Sequence, residues 1–252
     1  MAETYIPGIL REIRNRIVTI VPENSGLFRR LALLGLKFNA RHNHALRTSL
    51  VMGVYAVQHC NLNCACCTAF SPIAKEEFLD IESYKNDMAK LSSLTGGKLE
   101  SFYVTGGEPL LHPRILEIFD IAREYFPETE ISFMTNGLLL LKMPEAFWIN
   151  CKRNNVAVSL SRYPIKLDTG RIRELAAAFK VKFDYVGGSN VPVKSMWKYP
   201  LDVEGARSLS ESFNICTQVN RCITMKNGYI YPCNTIAGIE HFNKYILTRG
   251  CG

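Results

Sequence analysis

From Leu50 onward, short apolar runs alternate with segments of helical pattern, and four of the nine cysteines crowd into the loop behind the first run. Leu50 to Val57 has the unbroken apolar character of a strand covered on both faces. Asp80 is placed to cap a helix running to about Leu94, and Gly96-Gly97 is placed to end it. Ser101 to Val104 reads as a second strand. A helix then opens at His112-Pro113, with Ile115, Leu116, Phe119 and Ala122 on one face. The alternation continues with a strand at 131–134, a helix at 144–154, a strand at 156–160, a helix capped by Thr169 and running to Phe179, and a strand at 182–186. This succession predicts parallel strands packed by helices. The residues just beyond each strand then share one edge, where the sites of βα barrels form. A sixth strand around 190–212 is not evident.

The cysteine loop reads Cys60-Asn61-Leu62-Asn63-Cys64-Ala65-Cys66-Cys67, with the spacing Cys-x3-Cys-x2-Cys inside it. Iron–sulfur cubes normally take four cysteines. Three thiolates from one loop leave one iron free for another ligand. Alone, the loop also suits structural zinc or an electron-transfer cluster. A second motif, Thr105-Gly106-Gly107-Glu108-Pro109, directly follows the second strand. With both motifs in place, the sequence resembles the radical S-adenosylmethionine (SAM) enzymes.

That resemblance implies a partial (βα)6 TIM-type barrel, a [4Fe–4S] cluster on Cys60, Cys64 and Cys67, and SAM on the open iron. Reductive cleavage of SAM would give a 5′-deoxyadenosyl radical that takes hydrogen from substrate. In the family, Gly106, Gly107 and Glu108 take the SAM amino group. Asn136, Ser159, Ser161 and Arg162 match positions that contact ribose and carboxylate, and Gly187-Gly188 would admit the adenine. Cys66 stands where an aromatic residue is commoner, a position whose backbone lies near the adenine.

After about residue 205 the chain changes character. Asn227-Gly228 between two β-prone runs, Arg221 to Thr224 and Tyr229 to Tyr231, predicts a hairpin, because both central positions favour positive φ. The spacing Cys216-x11-Gly228-x4-Cys233 resembles the first half of the auxiliary-cluster modules called SPASM and twitch domains. A second cluster on Cys216, Cys222, Cys233 and Cys251 is the implied arrangement. Cys251 stands one residue before the end, so truncation, completion by Cys222, or an open iron all remain open. Cys151 reads as a core residue. The expected division is a basic N-terminal extension (1–49), a radical SAM partial barrel (50–205) and a twitch-like module (206–252).

Composition fits an oxygen-sensitive cytoplasmic enzyme. Charges among the first twenty residues break any signal-peptide apolar segment, and an odd cysteine count disfavours a disulfide scaffold. No apolar run approaches the roughly 20 residues that span a bilayer. The net charge of +7 is uneven: no Asp or Glu falls between Glu23 and Glu76. That stretch suits a phosphate-bearing substrate, an acidic partner or a membrane surface, or simply an amphipathic helix packed on the host domain.

The expected function is dehydrogenation or epimerisation of a sugar- or aminocyclitol-like small molecule. Modification of a ribosomal peptide is the alternative, and a non-enzymatic iron–sulfur or zinc carrier the contrasting class. Fifty N-terminal residues poor in β-prone runs do not suggest a leader-binding domain. For epimerisation, Cys222 and Cys251 are the candidate hydrogen donors. The partners implied are a small-molecule substrate and an external one-electron reductant such as flavodoxin or ferredoxin, with no nucleic acid and no membrane span.

Overall fold

The structure is a computed structural model. It describes residues 50–192, 202, 205–216 and 223–249. These fall into two compact units: 50–192 with 223–249 in one, and 202 with 205–216 in the other.

The larger unit is built on a seven-stranded sheet in the order β5-β4-β3-β2-β1-β6-β7. Strands β1 (Val51–Val57), β2 (Ser101–Gly106), β3 (Glu130–Thr135), β4 (Val156–Leu160) and β5 (Phe183–Tyr185) pair in parallel, neighbour to neighbour. This is the α/β architecture of a partial TIM-type barrel. Its sixth parallel strand is β6 (Ile223–Lys226), which lies beside β1 rather than beyond β5. Strand β7 (Tyr229–Tyr231) returns antiparallel to β6. The turn between them has φ of 50° at Asn227 and 77° at Gly228, as the Asn-Gly signal requires. The hairpin thus extends the barrel sheet itself.

Helices α1 (Ile81–Thr95), α2 (Ile115–Tyr125), α3 (Glu145–Arg153) and α4 (Thr169–Ala178) connect the first five strands. Asp80 caps α1 by accepting from the Ser83 amide at 2.8 Å, and Gly96 ends it in the left-handed region at φ 63°. Helix α4 is capped by Asp168, which accepts from the Arg171 amide at 3.0 Å, rather than by Thr169. Its neighbour is equally suited chemically, and one residue of register decides between them. On α2, Ile115, Phe119 and Ala122 are buried as expected, joined by Ile118 and Ile121, while Leu116 is only partly buried. Phe102, Phe119, Phe126, Phe133, Phe147 and Trp148 fill the core, with Cys151 fully buried among them.

The smaller unit contains α5 (Leu209–Ile215), preceded by a turn in which Asp202 accepts from the amides of Ala206 and Arg207. Helix α6 (Asn234–Arg249) belongs to the larger unit and follows the hairpin. It was not expected from sequence. No helix among the described residues is long and apolar enough to cross a membrane.

Candidate functional site

Because β1 to β5 run in parallel, their C-terminal ends share an edge, and the cysteine loop, Gly106–Pro109, Thr135-Asn136, Ser161–Tyr163 and Tyr185–Gly188 gather there.

The cysteine loop is anchored at its root by the glycine motif. The Gly107 amide donates to Val57 O at 2.7 Å and the Glu108 amide to His59 O at 3.2 Å. The two backbones lie so close that a Cβ on Gly106 would sit 2.2 Å from Val57 O, and one on Gly107 would sit 1.8 Å from His59 O. Gly106 also has φ of 125°, open to glycine but not to L side chains. Glycine at both positions is therefore required by the loop's own seating, before any ligand is considered.

Glu108 is 1% exposed, and its carboxylate is used within the chain. Oε1 accepts from the Thr135 hydroxyl at 2.7 Å and the Leu110 amide at 3.1 Å, and Oε2 accepts from the Asn136 amide at 2.9 Å. Burial raises its pKa, against the lowering effect of these bonds. The side chain thereby fixes the β3 loop against the β2 loop. Asn136 passes the connection on: its Nδ2 donates to Asn61 Oδ1 at 2.7 Å and lies 3.7 Å from Cys60 Sγ.

Cys60, Cys64 and Cys67 are free and partly buried, and Cys66 is exposed. Cys66 has φ of 56°, a left-handed residue that turns the chain sharply between Cys64 and Cys67. The Leu62 amide approaches Cys60 Sγ at 3.4 Å. Burial raises the Cys60 thiol, with further upward pushes from Glu108, Cys64 and Cys67; burial followed by Cys67 raises Cys64. Metal binding must therefore displace protons here. Among the described residues no three His, Cys, Asp or Glu side chains are grouped around a single-ion site. A cube asks for something else, one thiolate for each of three irons. Three free, mutually interacting thiols on one tightly held loop fit that group.

Tyr163, three residues beyond β4, was not singled out from sequence. Burial pushes its hydroxyl up to about 12, helped by Cys64, Cys67, Cys60 and Glu108, so it stands near the thiols as a neutral phenol. Its position, directly after the chosen Arg162, was the available signal. Ser159 lies within β4, between Met134 and Asp184, and Ser161 follows the strand with its amide on Thr135 O at 2.8 Å. Arg162 Nε donates to Asn190 Oδ1 at 2.9 Å, while its Nη1 is buried without a partner among the described residues. The same holds for His59 Nδ1 and Tyr185 Oη. Gly187 and Gly188 have φ of 77° and 72°.

Of the second cysteine set, Cys233 is buried immediately before α6, and its carbonyl accepts from the Ala237 amide at 3.2 Å. Cys216 is partly buried at the end of α5 in the smaller unit. Cys222 and Cys251 lie outside the described residues.

Residues 54–171 match the family model of the Radical SAM superfamily. The family implies a [4Fe–4S] cluster and SAM as cofactors. Among particular proteins, the chain is 31% identical over 100 residues to GTP 3′,8-cyclase of Chlorobaculum tepidum, covering 40% of this chain and 29% of that one. It is 30% identical over 118 residues to GTP 3′,8-cyclase of Trichodesmium erythraeum, covering 45% and 33%. These matches span about a third of the length of the curated relatives. The crystal structure of BtrN in complex with AdoMet and 2-DOIA resembles the fold with a TM-score of 0.51, at 19% identity over 75% of this chain and 74% of that one.

Proposed function

We propose that Cys60, Cys64 and Cys67 hold a [4Fe–4S] cluster with one iron free of protein, and that the chain dehydrogenates or epimerises a small, carbohydrate-like, phosphate-bearing substrate. The observation that carries this reading is the seating of three free thiols at the end of β1 by the Gly106-Gly107-Glu108 segment. Bound there, the cluster would supply the one-electron reduction by which SAM is cleaved and hydrogen abstraction from substrate becomes possible.

The remaining roles belong to the chain. Glu108 Oε2 has one partner and room for a second donor, which suits an ammonium group beside the Gly106-Gly107 backbone. Asn136 holds the loop through Asn61 while facing the same edge. Arg162 Nη1, buried and without a partner among the described residues, suits a carboxylate. Ser159 and Ser161 are assigned to ribose, Gly187-Gly188 to adenine, and the Cys66 backbone to the adenine rim. Cys216, Cys222, Cys233 and Cys251 are assigned to an auxiliary cluster of twitch or SPASM type, with Cys222 or Cys251 as hydrogen donor if the outcome is epimerisation. A phosphate-bearing substrate is supported by the acid-free basic stretch before Glu76 and by relatives whose name specifies GTP. The reading places the protein in the cytoplasm, served by a flavodoxin- or ferredoxin-like reductant.

The test uses the full chain, reconstituted anaerobically with iron, sulfide, dithionite and SAM, with deuterated sugar phosphates and a deuterated unrelated peptide as trial substrates. Transfer of deuterium from a sugar phosphate into 5′-deoxyadenosine supports the assignment. Transfer from the peptide alone overturns the substrate class.

A further inference from the structure

Lys226, the last residue of β6, is 2% exposed although its side chain carries a positive charge. Its ammonium donates to Glu240 Oε1 at 2.5 Å and to Ala237 O at 3.0 Å, and lies 3.4 Å from His241 Nε2. It also sits 5.9 Å from the centre of the Tyr55 ring. Burying an ion pair is often no better for stability than filling the space with an apolar side chain. A lysine in this position therefore calls for a role beyond packing.

Its surroundings lead to the cysteine loop by two routes. His241 Nε2 is 3.0 Å from Gln58 Oε1, and Gln58 is two residues before Cys60. Burial, with Lys226 as the next cause, lowers the His241 pKa, so this bridge is made by a neutral ring. The second route is by packing. Tyr55, Ala69 and Ala237 form a small buried cluster, and Cys67 packs directly against it. Lys226 touches the other side of that cluster through the Tyr55 ring and the Ala237 carbonyl. Helix α6 is pressed onto the loop here: a Cβ on Gly238 would sit 2.7 Å from Ala69 O, and the Phe242 and Phe70 rings lie 5.6 Å apart. The buried cation is thus linked to Cys67 through the Tyr55, Ala69 and Ala237 cluster, and through His241 and Gln58 to the chain two residues before Cys60.

The two members of the pair differ in screening. The Lys226 side chain is 2% exposed and that of Glu240 44%. Water weakens the field of the carboxylate more than that of the ammonium. We propose that Lys226 sets the reduction potential of the cluster held by Cys60, Cys64 and Cys67, by favouring the form that carries the added electron. Net local charge is one of the levers that fix such potentials. Lys226 is a positioning residue: it does not touch the cluster, and Glu240 and the Ala237 carbonyl hold it in place. The inference rests on the cluster assignment made under the proposed function.

The test is a redox titration of the full reconstituted chain with dithionite as one-electron donor. It follows the paramagnetic signal of the reduced cluster that changes when SAM is added. Wild-type protein that takes up no iron would sink the cluster assignment itself. With a loaded wild type, Lys226→Met should lower the midpoint potential and Glu240→Gln should raise it. A purely structural role would leave both midpoints in place or move them in the same direction, and either result overturns the proposal. Should Lys226→Met fail to fold, Glu240→Gln decides alone: a raised midpoint supports the inference, and an unchanged or lowered one refutes it.

Discussion

Replacing Gly107 by alanine should separate cluster loading from folding. The new Cβ would stand 1.8 Å from His59 O, 2.4 Å from His59 C and 3.0 Å from Cys60 N. The first contact is roughly 1.5 Å short of ordinary van der Waals separation, and all three neighbours are backbone atoms with no flexible end to swing aside. Overpacking of this kind costs about 1–3 kcal/mol. Separating the strands also loosens the bonds from the Gly107 amide to Val57 O and from the Glu108 amide to His59 O. Each is worth about 0.5–1.5 kcal/mol net. Together the penalty is about 2–6 kcal/mol, concentrated where the cysteine loop leaves β1. Gly96→Ala serves as the comparison: its Cβ meets nothing within 4 Å, and only the φ of 63° opposes it. The left-handed conformation costs an alanine about 1–2 kcal/mol. Urea unfolding followed by circular dichroism gives the stabilities, and iron per chain after anaerobic reconstitution gives the loading. Gly107→Ala should lose the iron held by Cys60, Cys64 and Cys67, about four per chain, whereas Gly96→Ala should retain it. A Gly107→Ala protein as stable as wild type and fully loaded would refute the argument.

His112 is buried as a neutral ring, with Nδ1 accepting from the Arg114 amide at 3.0 Å and Nε2 donating to Leu79 O at 3.0 Å. Burial lowers its pKa below 6.5, so the unfolded chain binds the proton first and stability should fall as pH drops through 6.5. Urea unfolding at pH 7.5 and at pH 5.5 should show that His112→Gln has a shallower loss than wild type, and equal slopes would count against the assignment. Arg123 donates to the carbonyls of Asn154 at 2.7 Å, Pro127 at 2.6 Å, Thr129 at 3.0 Å and Phe126 at 3.1 Å, joining the ends of α2 and α3 to the start of β3. Arg123→Ala should destabilise by about 2–4 kcal/mol, with Arg123→Lys recovering only part, because a single ammonium cannot reproduce the planar fork. A loss under about 0.5 kcal/mol in urea unfolding would show that these bonds exchange freely with water.

The parallel βα core was legible because a strand covered on both faces writes itself as an apolar run, as in Val51–Val57 and, interrupted only by Ser159, Val156–Leu160. The glycine motif was legible as a pattern, but the cause found here was not. Nothing near Gly107 in sequence says that His59 O will lie where a Cβ would go. The hairpin announced itself through Asn227-Gly228, yet its pairing with β1 joins segments about 170 residues apart and leaves no local trace. Helix α6 was missed for a different reason. The cysteine spacing drew the tail toward an auxiliary-cluster reading, while Ala237, His241 and other positions at helical spacing were buried against the cysteine loop and the hairpin. Gln58, His241 and Lys226 looked like isolated polar residues, and only tertiary contact makes them a set.

The open iron is the feature on which the proposed chemistry turns. Reduced, reconstituted protein should bind about four irons through Cys60, Cys64 and Cys67. Added SAM should then alter the paramagnetic signal and appear as 5′-deoxyadenosine, both effects lost in Cys60→Ala. Intact SAM beside a fully loaded, reduced cluster, or zinc found on these three thiols in place of iron, would contradict it.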